Sequence, residues 1–178
     1  MLFPFFCTYD KIYPKNIHRY EREVHAFMDI TMLGTGNAMV TECYNTCFVL
    51  RDGDKHLLVD GGGGNTLLAQ LKHAGFDWMD MREIFVTHKH VDHIMGVVWM
   101  IRMIATSMNK GTYDGTLTIY CHEELVHTIK TLTKLTVGKK FYKHFDERIV
   151  FHVIAHGDTI QILGDCFTFF DIGFTKEK

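Results

Sequence analysis

The sequence is poor in several features that would assign it quickly. Proline is scarce: Pro4 and Pro14 are the only two, and both fall in residues 1–27, where the charged stretch Lys15 to Glu23 has no clear periodicity. That segment reads as an N-terminal extension, with Met28 as an alternative start or a packed arm as the competing explanation. No uninterrupted apolar run approaches the ~20 residues of a membrane helix. The opening Met1-Leu2-Phe3-Pro4-Phe5-Phe6 is apolar but short, has no basic residue before it and is soon followed by Asp10 and Lys11, so it does not read as a signal peptide. Five cysteines (Cys7, Cys43, Cys47, Cys121, Cys166) form no Cys-x-x-Cys pair and are odd in number, which argues against a disulfide framework or a zinc–thiolate site. Reduced thiols in a cytoplasm are expected. A basic excess is lacking too: the formal charge is −2, so a nucleic-acid partner would need a local patch. No period of 20 to 50 residues recurs, which excludes a repeat architecture. Gly34-Thr35-Gly36 reaches Met39 where a dinucleotide fingerprint needs a third glycine, and Gly61 to Gly64 lack the Gly-Lys-Ser/Thr ending of a P-loop.

What remains is an ordinary globular composition, with 47% hydrophobic and 22% charged residues in 178. Such a chain is long enough for one domain that buries ~70% of its unfolded surface. Strands are expected at Asp29 to Leu33, at Asn45 to Leu50 and Lys55 to Val59 across the hairpin signal Asp52-Gly53-Asp54, and at Glu83 to Val86. Asn65 is placed to cap a helix with Leu67, Leu68, Leu71 and Ala74 on one face and Gly75 at its end. A mostly apolar helix covers Ile94 to Ile104, and an amphipathic one covers Glu123 to Leu135 after a strand at Thr116 to Tyr120. Three further strands, Ile149 to Ile154, Thr159 to Leu163 and Phe167 to Ile172, complete an α/β layered pattern. Lys130, Lys134, Lys139, Lys140 and Lys143 are the one local basic cluster suited to RNA; the alternative is a solvated face.

The chemistry concentrates in Thr87-His88-Lys89-His90-Val91-Asp92-His93, where three imidazoles and a carboxylate fall within six positions. In an extended stretch His88, His90 and Asp92 share a side, and a turn brings His93 beside Asp92, so four ligands converge. Imidazole nitrogen and carboxylate oxygen suit zinc, manganese or iron. The motif lies between a buried strand and a helix, where ligands are usually displayed. The bland alternative is a solvated histidine-rich loop.

This His-x-His-x-Asp-His resembles the signature of the metallo-β-lactamase superfamily. Gly34-Thr35-Gly36-Asn37-Ala38, Leu57-Leu58-Val59-Asp60-Gly61-Gly62-Gly63, and Asp92-His93-Ile94 with Gly96 are similar to its ribonuclease Z branch. The likeness spans about residues 28 to 172. It implies an αββα sandwich, of which the N-terminal half plus following strands is expected as a partial domain over 28–178. It further implies one or two zinc ions, with His88 and His90 on one and Asp92 and His93 on the other. Asp92 would also orient or deprotonate the water that attacks a phosphodiester. Asp60 would support the cluster by fixing the second nitrogen of a ligating histidine; as an ordinary turn residue it would do neither. The substrate would be a precursor tRNA or a small phosphodiester. Another hydrolase of the superfamily, acting on thioesters, lactams or cyclic nucleotides, is the alternative, as is a silent metal-binding remnant.

The pattern breaks near the end. Gly173 stands where the family has a third histidine, Asp171 comes too early to be the bridging aspartate, and no final histidine follows before Lys178. His156 in a turn, before His152 in a strand, is the candidate replacement. A truncated domain is expected to leave an apolar sheet face open, covered by a second copy or another subunit, and to hydrolyse phosphodiesters poorly by itself.

Overall fold

The computed structural model describes residues 2–6 and 28–173. Six strands form the larger sheet in the order β2-β3-β4-β5-β6-β7. These are β2 (Asp29–Gly34), β3 (Cys47–Asp52), β4 (Lys55–Val59), β5 (Glu83–Val86), β6 (Leu117–Cys121) and β7 (Ile149–Val153). The first three are antiparallel neighbours; β4 to β7 run parallel. β3 and β4 meet at the two-residue turn Gly53-Asp54, where Gly53 takes φ 57°. The parallel strands are linked by α1 (Thr66–His73), α2 (Val91–Lys110), and α3 (Glu123–Thr136) with the short α4 (Lys139–Tyr142).

Strands buried on both faces must alternate which core they feed. Leu58, Ile84 and Val86 face the helices together with Val97, Ile101 and Ile129. Leu57, Val59 and Phe85 face the other way, against Ile162, Phe167 and Phe169. Those last residues belong to a second sheet, ordered β1-β9-β8, of β1 (Leu2–Phe6), β8 (Thr159–Ile162) and β9 (Asp165–Asp171). β8 and β9 turn through Leu163 and Gly164, both at positive φ, as a two-residue hairpin requires. Among the described residues, helices cover one face of the larger sheet and the smaller sheet covers part of the other.

Several expectations change. An open sheet face was expected; instead Phe167 and Phe169 are fully buried against it. Exposed apolar side chains of the larger sheet lie on its two edge strands, Ile30 (57%) and Met32 (48%) on β2 and Val153 (48%) on β7. The opening apolar residues, read as part of an extension, supply β1 and pair with β9; residues 7–27 lie outside the described residues. Asn65 stands at the N-terminus of α1, but its side chain makes no capping bond. α2 is longer than its apolar core at both ends, beginning inside the histidine motif and closing on Gly111 at φ 72°. No described helix is long and apolar enough to cross a membrane.

Candidate metal centre

β4 and β5 are adjacent and parallel, so Asp60 and Thr87, the residues that follow them, emerge side by side at the carboxyl edge of the sheet. That edge is where open α/β sheets bind ligands. Asp60 is buried and sits at φ 59°, a left-handed conformation that Asp tolerates better than most residues. Its Oδ1 accepts the Thr87 backbone N–H at 2.8 Å. Its Oδ2 accepts the Thr87 hydroxyl at 2.7 Å and pairs with His93 Nδ1 at 2.7 Å.

An ionised carboxylate only accepts, so these bonds fix the protons of two imidazoles. His93 must donate from Nδ1. The single Thr87 hydroxyl proton goes to Asp60, so the 2.9 Å bond between Thr87 Oγ1 and His88 Nδ1 is donated by His88. In their neutral forms both rings therefore carry an Nε2 lone pair, the form in which an imidazole binds a metal. The rings stand 3.9 Å apart between centroids. Asp60, His88 and His93 each bring a ligand-type atom within 4.8 Å of the others.

The other two motif residues flank this pair. His90 Nδ1 lies 3.1 Å from His88 Nε2, and Asp92 Oδ2 lies 3.4 Å from His93 Nε2. His90 is exposed and Asp92 buried. The route differs from the extended alternation expected: His90 precedes α2, and Asp92 and His93 occupy its first turn, so helix rather than strand geometry brings His93 back to His88.

The two inner histidines differ in basicity. Burial first, and then the neighbouring His93 imidazole, lower His88 to about 4. Burial also disfavours the charged form of His93, but the Asp60 hydrogen bond and the Asp60 and Asp92 charges outweigh it and raise that group. His88 is thus a neutral imidazole at neutral pH, with its one proton on Nδ1.

The glycine run after Asp60 is a packed turn. The Gly61 N–H donates to His93 O at 2.8 Å, that of Gly63 to Asn45 Oδ1 at 3.1 Å, and that of Gly64 to the Tyr44 hydroxyl at 3.1 Å. Amides bonded inward in this way do not form a phosphate cradle. α2 crosses so close that a Cβ on Gly96 would meet Gly61 O at 1.8 Å.

His156 lies in the β7–β8 connection, where its Nδ1 accepts the Asp171 N–H at 3.1 Å; the structure does not bring it into the cluster. His152 is exposed on β7 beside the Tyr120 ring at 5.5 Å. Lys130 is paired with Asp146 at 2.7 Å. The lysine cluster sits by the far end of α2, where Asn109 Nδ2 donates to Lys140 O. At 1.5 Å per residue this is roughly 30 Å from the motif. Sequence reasoning missed the roles of Thr87, Tyr44 and Asn45. A threonine directly before the first histidine was a usable signal for Thr87, whereas nothing local marks the other two.

The layered sheets with a histidine motif at the carboxyl edge define a metallo-β-lactamase fold. Known structures agree. A metallo-β-lactamase fold protein, YhfI from Bacillus subtilis, superposes with a TM-score of 0.58 at 18% identity, over 76% of this chain and 50% of that one. The short form of human tRNase Z gives 0.55 at 24% identity, over 70% and 43%. Ribonuclease Z of Clostridium acetobutylicum is 33% identical over 107 residues, which is 60% of this chain and 33% of that protein. The chain spans about a third of the length of such curated relatives. Residues 28–177 match the family described as Anti-Pycsar protein Apyc1, and the chain belongs to that family.

Proposed function

We propose that this chain is a metal-dependent phosphodiester hydrolase whose centre is built on His88, His90, Asp92 and His93, with zinc as the metal. The observation that carries the reading is Asp60: one buried carboxylate orients both inner histidines with their Nε2 lone pairs available. The donor set fits the group, since two neutral imidazoles, a third at the rim and a carboxylate suit zinc, with manganese or iron as substitutes. Bound there, the metal supplies Lewis acidity that lowers the pKa of water to about 7 and steadies charge on a phosphoryl oxygen.

The chain's own residues supply the rest. His88 needs no deprotonation at neutral pH. Asp92, buried on the first turn of α2, is the carboxylate within reach of the cluster that can orient the attacking water and take its proton. Asp60 has both oxygens occupied and acts by holding His93 and Thr87.

A small phosphodiester suits this site better than an extended RNA, because the basic cluster sits at the opposite end of α2. The relatives named ribonuclease Z keep a precursor tRNA among the substrates to be tested. The reading assigns the protein to the cytoplasm, with Cys43, Cys47, Cys121 and Cys166 as free thiols. The test is hydrolysis of bis-p-nitrophenyl phosphate, a cyclic nucleotide and a precursor tRNA in excess zinc or manganese. Turnover that disappears in His88→Ala is the expected result, and turnover equal in both proteins contradicts it. Zinc bound without turnover in any substrate would mark a binding remnant.

A further inference from the structure

We propose that Tyr44 is a positioning residue for this centre: its hydroxyl holds the Gly61–Gly64 turn and, through that turn, the backbone of Asp60. The inference rests on the reading of His88 and His93 as ligands. Tyr44 comes from the segment before β3 and touches neither histidine. Its hydroxyl lies 2.8 Å from the carbonyl oxygens of both Gly61 and Gly64 and accepts the Gly64 N–H at 3.1 Å. One phenolic proton is therefore shared by two carbonyls, and burial raises the group to about 12, which keeps that proton in place.

The opposite side of the turn is pinned by α2. The Gly61 N–H donates to His93 O, and the Gly96 N–H donates to Gly62 O at 3.0 Å. The Tyr44 ring presses on Gly62, where a Cβ would stand 2.4 Å from Cε1. The turn is thus clamped between an aromatic ring and a helix, and Asp60 is the residue directly before it. A non-glycine residue at φ 59° is strained and persists only where its surroundings over-determine it. Among the described residues, the hydroxyl is the one group that bonds both ends of the turn. Without it the Gly61 carbonyl and the Gly64 N–H lose this partner and the Gly64 carbonyl keeps only the Leu67 N–H at 3.3 Å, the turn relaxes, and Oδ2 of Asp60 is drawn away from His93 Nδ1 and Thr87 Oγ1. Asn45 braces Gly63 but bonds neither Gly61 nor Gly64.

The experiment compares the full chain with Tyr44→Phe and with Tyr113→Phe, a control that removes another buried hydroxyl, the one donated to Met81 O at 2.9 Å. The first readout is the nitrogen–proton spectrum of the imidazoles in metal-free protein, which reports the nitrogen that carries each proton. The second is zinc affinity by competition with a chelator. Tyr44→Phe is expected to lose the single Nδ1–H form of His93 and to bind zinc roughly tenfold more weakly, within the range for outer-sphere substitutions. Tyr113→Phe should keep both properties. An unchanged His93 spectrum in Tyr44→Phe, or an equal loss in the control, overturns the proposal. Should Tyr44→Phe fail to fold, 3-fluorotyrosine placed at position 44 keeps the ring and changes the donor strength; an unmoved His93 signal again overturns it. A parent chain that binds no zinc removes the ligand reading, while the imidazole spectra still decide the role of Tyr44.

Discussion

The two halves of one sheet edge carry similar side chains and are wired in opposite senses. At the ends of β4 and β5, His88 and His93 donate from Nδ1 to Thr87 and Asp60, which leaves Nε2 as a lone pair in the neutral rings. At the ends of β6 and β7, His122 and His156 accept at Nδ1, from the N–H groups of Glu124 at 3.5 Å and Asp171 at 3.1 Å. A neutral imidazole that accepts at Nδ1 carries its proton on Nε2. Four of the imidazoles at this edge therefore form one pair whose neutral rings present Nε2 as an acceptor and one pair whose Nε2 carries a proton. In the proposed centre a buried acceptor that orders the protons matters more than the number of histidines.

Both halves rest on apolar contact with the second sheet, and the largest expected effect tests that shared support. Phe169 is fully buried with Phe167 against Leu57, Val59 and Phe85 of β4 and β5 and against Tyr120 and Ile154 beyond them. Phe169→Ala should cost about 3–5 kcal/mol in urea unfolding. Phe170→Ala, on the outward face of the same strand, should change stability by no more than about 0.5 kcal/mol. Equal effects would mean that the second sheet does not pack as described.

The β4–β5 half should in addition be sensitive to Asp60. Asp60→Ala is expected to weaken zinc binding by about 10–100-fold. It also leaves the buried Thr87 N–H without its acceptor, at roughly 1–3 kcal/mol of stability. His156→Ala and His122→Ala should leave zinc affinity within about twofold, because their Nε2 atoms carry protons. Titration calorimetry of the three variants sharpens the comparison, and a large loss in His156→Ala would bring that residue into the centre after all.

The smallest effect is in the pH dependence of the metal-free protein. His88 is lowered from 6.5 to about 4, so between those values the unfolded chain binds more protons than the folded one. Stability from this group is complete above 6.5 and is lost as the pH falls toward about 4. His93 is raised, so its contribution is present below 6.5 and is lost as the pH rises through its higher value. His88→Gln should flatten the acid side of a plot of melting temperature against pH and leave the alkaline side unchanged.

Much of this was legible in the sequence because local chemistry determined it. β4 and β5 came out at the expected residues, Lys55–Val59 and Glu83–Val86, since short β-branched and aromatic runs between turn signals have few other uses. The helix start inside the motif was not legible. Val91 and Asp92 suit a strand end and a first helical turn equally well, and only docking of α2 on Gly61 settles the matter. The second sheet was hidden for a related reason: β1 pairs with β9 across nearly the whole chain, and no local pattern announces such a partner. Tyr44 was invisible because its bonds reach seventeen and twenty residues along the chain.

The most direct test of the central claim is zinc content after exhaustive dialysis, measured on the parent chain and on His93→Ala. The wiring through Asp60 predicts that the parent retains about one equivalent or more and that the variant retains almost none. Equal zinc content in the two proteins would contradict it.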